Sequence, residues 1–140
     1  MIRAIVCVVT FSVLTSISSS ANAQKKEKNQ EKLDGTWTIV SAEFDGSEAK
    51  CELKKGEKFV FNGKKYKFES KAYPEEGTFT VDAEKKTKEI NFVDTKEKKS
   101  HGIYEEDGEE LKLCIWHGER PAHFKSGKSA ILVSLKRHKN

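Results

Sequence analysis

From Leu33 onward, apolar and polar side chains alternate with a period of two, and this periodicity constrains the fold more than any other feature of the chain. Phe59 and Phe61 alternate with Lys58 and Val60, Tyr66 and Phe68 with Lys65 and Lys67, and Phe79 and Val81 with Thr78 and Thr80. Successive side chains of an extended strand project to opposite faces, so each run reads as a half-buried strand. Ile90 and Phe92, then Ile103, then Leu111 with Leu113 and Ile115, and finally Ile131 with Val133 and Leu135 continue the series. Together with the opening run Thr36 to Phe44, this makes about eight strands.

The links between the runs decide how the strands are joined. Asn62-Gly63 and Asp107-Gly108 each sit between two alternating runs, the signal of a tight type I′ hairpin, and both impose antiparallel neighbours. Ala83 to Lys88 and Asp94 to Ser100 are polar links of hairpin length. No stretch has the pattern of an amphipathic crossover helix, which argues against a parallel sheet. Two connections are longer, Asp45 to Glu57 and His117 to Ser129. The expected fold is therefore all-β: an antiparallel up-and-down barrel, which closes the meander and leaves no open sheet edge, with a two-sheet β-sandwich as the alternative. If Leu111, Leu113 and Ile115 face inward, Cys114 and Trp116 face outward. The Asp45 to Glu57 segment is then expected outside the barrel, tied by Cys51 and covering Trp116.

The alternation begins only after a leader of different character. Arg3, the apolar stretch Ala4 to Leu14 and the Ala21-Asn22-Ala23 site have the form of a secretory signal peptide, residues 1–23, cleaved before Gln24. The apolar stretch is too short to anchor in a bilayer, so the mature protein is expected to be exported, periplasmic or extracellular, with no membrane span after cleavage. Residues 24–32, rich in Gln, Lys, Glu and Asn, are expected to be a flexible charged linker, and 33–140 a single domain. In an oxidising compartment the two cysteines that survive cleavage, Cys51 and Cys114, are expected to form a disulfide. The competing reading is a metal site built on Cys114-x-x-His117 with His123 and His101 nearby in sequence, although a lone Cys-x-x-His has no matching second half.

The opening Leu33-Asp34-Gly35-Thr36-Trp37 resembles the Gly-x-Trp signature of lipocalins. In that family the tryptophan closes one barrel end beneath an arginine from near the last strand, the place held here by Arg137 in Leu135-Lys136-Arg137. A fuller resemblance is to a family of small exported or fused lipocalin-like domains abundant in planctomycete bacteria. It runs through the same opening, Asp45-Gly46, Gly77-Thr78-Phe79, Gly102-Ile103-Tyr104 to Asp107-Gly108, Leu111-Lys112-Leu113-Cys114, Arg120-Pro121 with Phe124, and the closing Leu135-Lys136-Arg137. Where that family tends to carry a proline and an aspartate around the fifth strand, this chain has Thr87 and Asn91. The resemblance implies a lipocalin-like barrel closed by Trp37 and Arg137, and no activity, since the family has none assigned.

The late connection carries Arg120, His123 and Phe124 on a loop that can cover a barrel end. Arg120 is suited to an anionic ligand and His123 to titration near neutral pH, while the competing role of the segment is to cap the core through Phe124. Catalytic chemistry finds little support. Glu75-Glu76, Glu105-Glu106 and Glu109-Glu110 are sequence neighbours and point to opposite faces of a strand, no Gly-x-Ser-x-Gly elbow occurs, and Gly127-Lys128-Ser129 lacks the upstream glycine of a phosphate loop. The lysine pairs alternate with glutamates, and 26 basic against 22 acidic residues leave a net charge of +4, so they read as a solvated surface and not as a nucleic-acid site. The expected function is a non-catalytic binding or interaction module of the cell envelope, without a cofactor, whose partner is a small ligand, an envelope protein or a glycan. The alternative is a lipocalin-like carrier of a small apolar or amphipathic ligand. An enzyme or metal-binding protein using Cys114, His117 and His123 is the weakest reading. The inward Phe59, Phe61, Tyr66, Phe68, Phe79 and Phe92 weigh against a carrier, because an eight-stranded barrel is only just wide enough for its own side chains.

Overall fold

Short polar links between alternating runs leave each strand little choice but to pair antiparallel with the next, and the computed structural model shows that meander closed on itself. It describes residues 28–139; the expected signal segment, 1–23, and residues 24–27 of the expected linker lie outside the described residues. The strands are β1 (Gly35–Phe44), β2 (Lys58–Asn62), β3 (Lys65–Glu69), β4 (Glu75–Asp82), β5 (Glu89–Asp94), β6 (Lys99–Glu106), β7 (Glu110–Trp116) and β8 (Ile131–Arg137). All neighbours are antiparallel, and β1 pairs with β8 from Trp37↔Arg137 to Phe44↔Ile131 to complete the barrel. A register shift between Ile39 and Ser41 leaves Val40 exposed on the outside, a bulge of the kind that bends a strand around a closed sheet.

The β2–β3 turn differs from the expected type I′ in an instructive way. Asn62 pairs with Lys65 as strand, the two central residues are Gly63 and Lys64, and Gly63 alone of these has positive φ, at 63°. That is the type II′ pattern, with glycine first. An Asn62-Gly63 turn would slide the register by two residues and set Phe61 opposite Lys64. The observed register pairs Phe61 with Tyr66 and Phe59 with Phe68 on the inner face, so aromatic packing outweighs the local Asn-Gly preference. The β6–β7 link is likewise not a two-residue I′ turn. It spans 107–109 with Gly108 at φ 99°, and the Asp107 carboxylate accepts from the backbone N–H groups of Glu109 and Glu110.

Inward positions interlock into one aromatic core. Ring centroids lie 4.8 Å apart for Phe59–Phe68 and Phe61–Phe79, and 4.9 Å for Tyr66–Phe92. Each fully buried ring contributes roughly 2–3 kcal/mol through burial, with up to about 1 kcal/mol more from each well-oriented pair. Gly77 stands opposite Tyr66 on this face, and a Cβ there would come within 2.0 Å of the Val93 carbonyl oxygen, so the close approach of β4 to β5 demands glycine.

The described part of the expected flexible linker, residues 28–32, is folded onto the barrel. Residues 28–31 form a helical turn, Leu33 is fully buried, and Gln30, 7% exposed, donates from Nε2 to the Phe79 carbonyl at 2.9 Å. This polar segment packs because one amide satisfies a backbone acceptor at the barrel end while Leu33 supplies the apolar contact. It closes the end that also carries the 63–64, 83–88 and 107–109 links. The opposite end, the mouth, carries 45–57, 70–74, 95–98 and 117–130.

Candidate functional site

At the closed end the structure brings Trp37 and Arg137 together. Trp37 is fully buried and its Nε1 donates to the Leu33 carbonyl at 2.8 Å. The Arg137 guanidinium lies 4.2 Å from the indole centroid and donates to the carbonyls of Gly108 at 2.7 Å, Asp34 at 2.7 Å and Lys32 at 3.0 Å. A Cβ on Gly35, whose φ is 122°, would sit 2.9 Å from Arg137 Nη1, so the glycine two residues before the tryptophan makes room for the arginine. One side chain thus ties the last strand to the entry turn and to the β6–β7 link, and no space for a ligand remains between them.

The loop of Arg120, His123 and Phe124 lies against the outer wall. Arg120 donates to the carbonyls of Ile90 at 3.1 Å and Gly102 at 2.6 Å and to Asn91 Oδ1 at 2.6 Å, and its Nε is 3.2 Å from Glu89. Its donors are taken up by β5 and β6 and are not presented to an external anion. Asn91 Oδ1 also lies 3.0 Å from His101 Nδ1, so one side chain joins Arg120 to His101 on this wall. Phe124 packs with Leu132 over a small outer cluster of Ile103, Cys114 and Ala130, and the Lys112 ammonium stands 5.8 Å from its ring. His123 is exposed.

The expected disulfide is not formed: Cys51 and Cys114 are free, buried thiols. Cys114 faces outward as expected, and it is the position of Cys51, inside and not outside the barrel, that explains this. Leu113 belongs to the main core, and Cys114, turned the other way, belongs to the outer cluster, where its Sγ donates to the Lys125 carbonyl at 3.6 Å. Cys51 packs in the main core, so the barrel wall separates the two sulfurs. Burial pushes both thiols up from their ordinary pKa, which keeps them protonated and poor nucleophiles. The metal alternative is not assembled either. Cys114 faces the outer cluster, His117 lies against Trp116 with ring centroids 4.9 Å apart and tilted by 40°, His101 pairs with Asn91, and no group of three or more His, Cys, Asp or Glu among the described residues could hold a metal ion.

The mouth holds a cavity of about 100 Å³. Phe59, Tyr66, Phe68 and Phe92 form its floor, Ile115 and Ile131 one wall, and Leu53, Tyr73, Trp116 and His117 the rim, with Glu52, Glu75 and Ser100 as further polar groups. Glu75 stands opposite Phe68 in the β3–β4 register and so lies on the inner face, where Tyr66 Oη donates to its Oε1 at 2.5 Å. Burial, reinforced by this carboxylate, drives the Tyr66 phenol far above its usual pKa. Trp116 was expected outside under the 45–57 segment. Instead its ring stacks on Phe44 at 5.6 Å and 9° at the rim, while Cys51 and Leu53 carry that segment over the barrel mouth, because the apolar residues of the connection find their burial in the main core. The sequence expectation that Glu75 and Glu76 point to opposite faces did not say which of them faces inward, and Glu52 and Tyr73 carried no expectation; the register that sets Glu75 opposite Phe68 decides it.

No helix among the described residues is long and apolar enough to cross a membrane. Comparison of the chain with protein-family models, with curated proteins and with solved structures finds no match.

Proposed function

We propose that the protein is an exported, non-catalytic binding module of the cell envelope that seats a small chemical group in the mouth of a filled barrel. The observation that carries this is volume. The interior is occupied by interlocking aromatic side chains, and the mouth retains about 100 Å³. Pockets that enclose a whole drug-sized ligand run to roughly 300–1,000 Å³. A cavity of roughly 150 Å³ holds a benzene ring, so this mouth takes on the order of four or five non-hydrogen atoms. The carrier reading is thereby narrowed to a very small molecule, and the interaction reading gains a defined place, the exposed rim around Tyr73. Export rests on the Arg3, Ala4 to Leu14 and Ala21-Asn22-Ala23 pattern, and the resemblance to exported planctomycete lipocalin-like domains points the same way.

Two measurements test the reading. Native mass spectrometry of protein purified from its own envelope is expected to show no stoichiometric lipid-sized molecule; finding one would overturn the filled-barrel argument. A photo-crosslinking residue in place of Tyr73 should label a discrete envelope partner or glycan, whereas one in place of the exposed Lys136 should not. Equal labelling from both positions would remove the mouth from consideration.

A further inference from the structure

The chemistry around the mouth selects among small groups, and this inference rests on the mouth being the binding site. The chain carries 26 Lys and Arg among 140 residues, yet none of those among the described residues lines the cavity, whose acidic groups are Glu52 and Glu75, with His117 at the rim. The lysines begin in the neighbouring cleft, with Lys96 and Lys98. The rest of the lining is dominated by aromatic rings: Phe59, Tyr66, Phe68, Tyr73, Phe92 and Trp116. Ring faces carry partial negative charge and attract cations, and they do so most strongly where water is displaced. We propose that the cavity receives an alkylammonium group, the cationic end of a small amine or of a lysine side chain.

The geometry favours this over the other two classes. An anion would meet two carboxylates and the faces of the rings. A neutral apolar group would fill the volume but make no use of the two carboxylates at the mouth, Glu75 and Glu52, both of which are exposed. An alkylammonium satisfies both halves of the site, with its methylenes against the aromatic floor and its three N–H donors toward Glu75 and Glu52. The Tyr66 hydroxyl holds Glu75 Oε1 in place at 2.5 Å, and a carboxylate has more acceptor positions than one hydroxyl uses, so the group is positioned in advance of binding. Glu52 and Glu75 are both exposed, Glu75 with its Oε1 held by Tyr66 and Glu52 at the rim.

The experiment is a two-dimensional NMR titration of the mature chain with three probes of one size: n-butylammonium, 1-butanol and butyrate. Butylammonium should shift the amides of Leu53, Trp116 and His117, with 1-butanol binding at least fivefold more weakly and butyrate not at all. Glu75→Gln keeps an acceptor for Tyr66 but removes the charge, and should weaken butylammonium at least fivefold while leaving 1-butanol unchanged. Glu52→Gln, at the rim, should give a smaller loss in the same sense and carries the test if the inner variant fails to fold. Nα-acetyl-lysine methylamide separates the sources: binding by both amines admits a lysine of a partner, binding by butylammonium alone points to a free amine. Equal affinity for 1-butanol and butylammonium would overturn the cation preference and leave the mouth as a site for apolar groups. Absence of any shift at the mouth would overturn the proposal as well, and the crosslinking from position 73 would then decide the broader reading on its own.

Discussion

Arg137→Met isolates the latch at the closed end, because methionine keeps an apolar stem over Trp37 while removing every donor. The part-buried bonds to Gly108 and Asp34, each 2.7 Å, contribute about 1 kcal/mol apiece once exchange with water is counted. The contact of the guanidinium with the indole, at 4.2 Å, adds about 1 kcal/mol. The bond to Lys32 is exposed and is set at zero. The variant should therefore lose about 3 kcal/mol, which for a domain of this size lowers the melting temperature by about 12 °C. Arg137→Lys should recover less than half of that, since an ammonium cannot reach three carbonyls arranged around a planar fork. Hydrogen exchange supplies a local readout: the amides of Leu33 and Asp34, bonded to the carbonyls of Gln30 and Glu31, should exchange faster once the entry turn is unlatched, while those of β4 and β5 change only with global stability. An Arg137→Met protein melting within about 3 °C of the parent would refute the additive argument.

Alkaline pH should destabilise the fold in a definite window. Burial raises the folded-state pKa of Cys51, Cys114, Tyr66 and Tyr104, the last to about 12. A raised folded pKa contributes stability that is fully present below the unfolded value, about 8.5 for thiols and about 10 for phenols, and is lost as pH rises toward the folded one. The urea midpoint should hold up to about pH 8 and then fall continuously; a midpoint unchanged from pH 8 to 11 would contradict the burial argument. Arg120→Ala should cost about 2 kcal/mol and loosen the outer loop, so that Cys114 becomes reactive to a thiol reagent in the native state while Cys51 stays protected. Equal reactivity of both thiols, or a mass two units below the reduced value, would refute the separation of the two cysteines by the barrel wall.

The strands were legible because a period of two is a local property that tertiary packing preserves. The inward set from Phe59 to Leu135 followed from it directly, and an even-numbered antiparallel meander with short links left closure as the economical arrangement. What escaped was set by relations between strands. The β2–β3 turn moved by one residue, and the register by two, because the register that pairs Phe61 with Tyr66 is worth more than the preference of Asn-Gly, a comparison no single turn sequence contains. The polar stretch at 28–32 gave no sign of packing because one buried amide, that of Gln30, and the single apolar Leu33 are enough to seat it. The side of the wall decides the chemistry in two further places. Parity on β7 puts Cys114 outside as expected, but the 45–57 connection turns Cys51 into the main core, and a plausible disulfide becomes two inert thiols on opposite sides of the wall. The register of β3 with β4 decides which of Glu75 and Glu76 faces the mouth: Glu75 stands opposite Phe68 and, though exposed, accepts from the Tyr66 hydroxyl beside the aromatic cavity. Residue type states what a side chain can do, but in a barrel only the register and the course of the connections state on which side of the wall it does so.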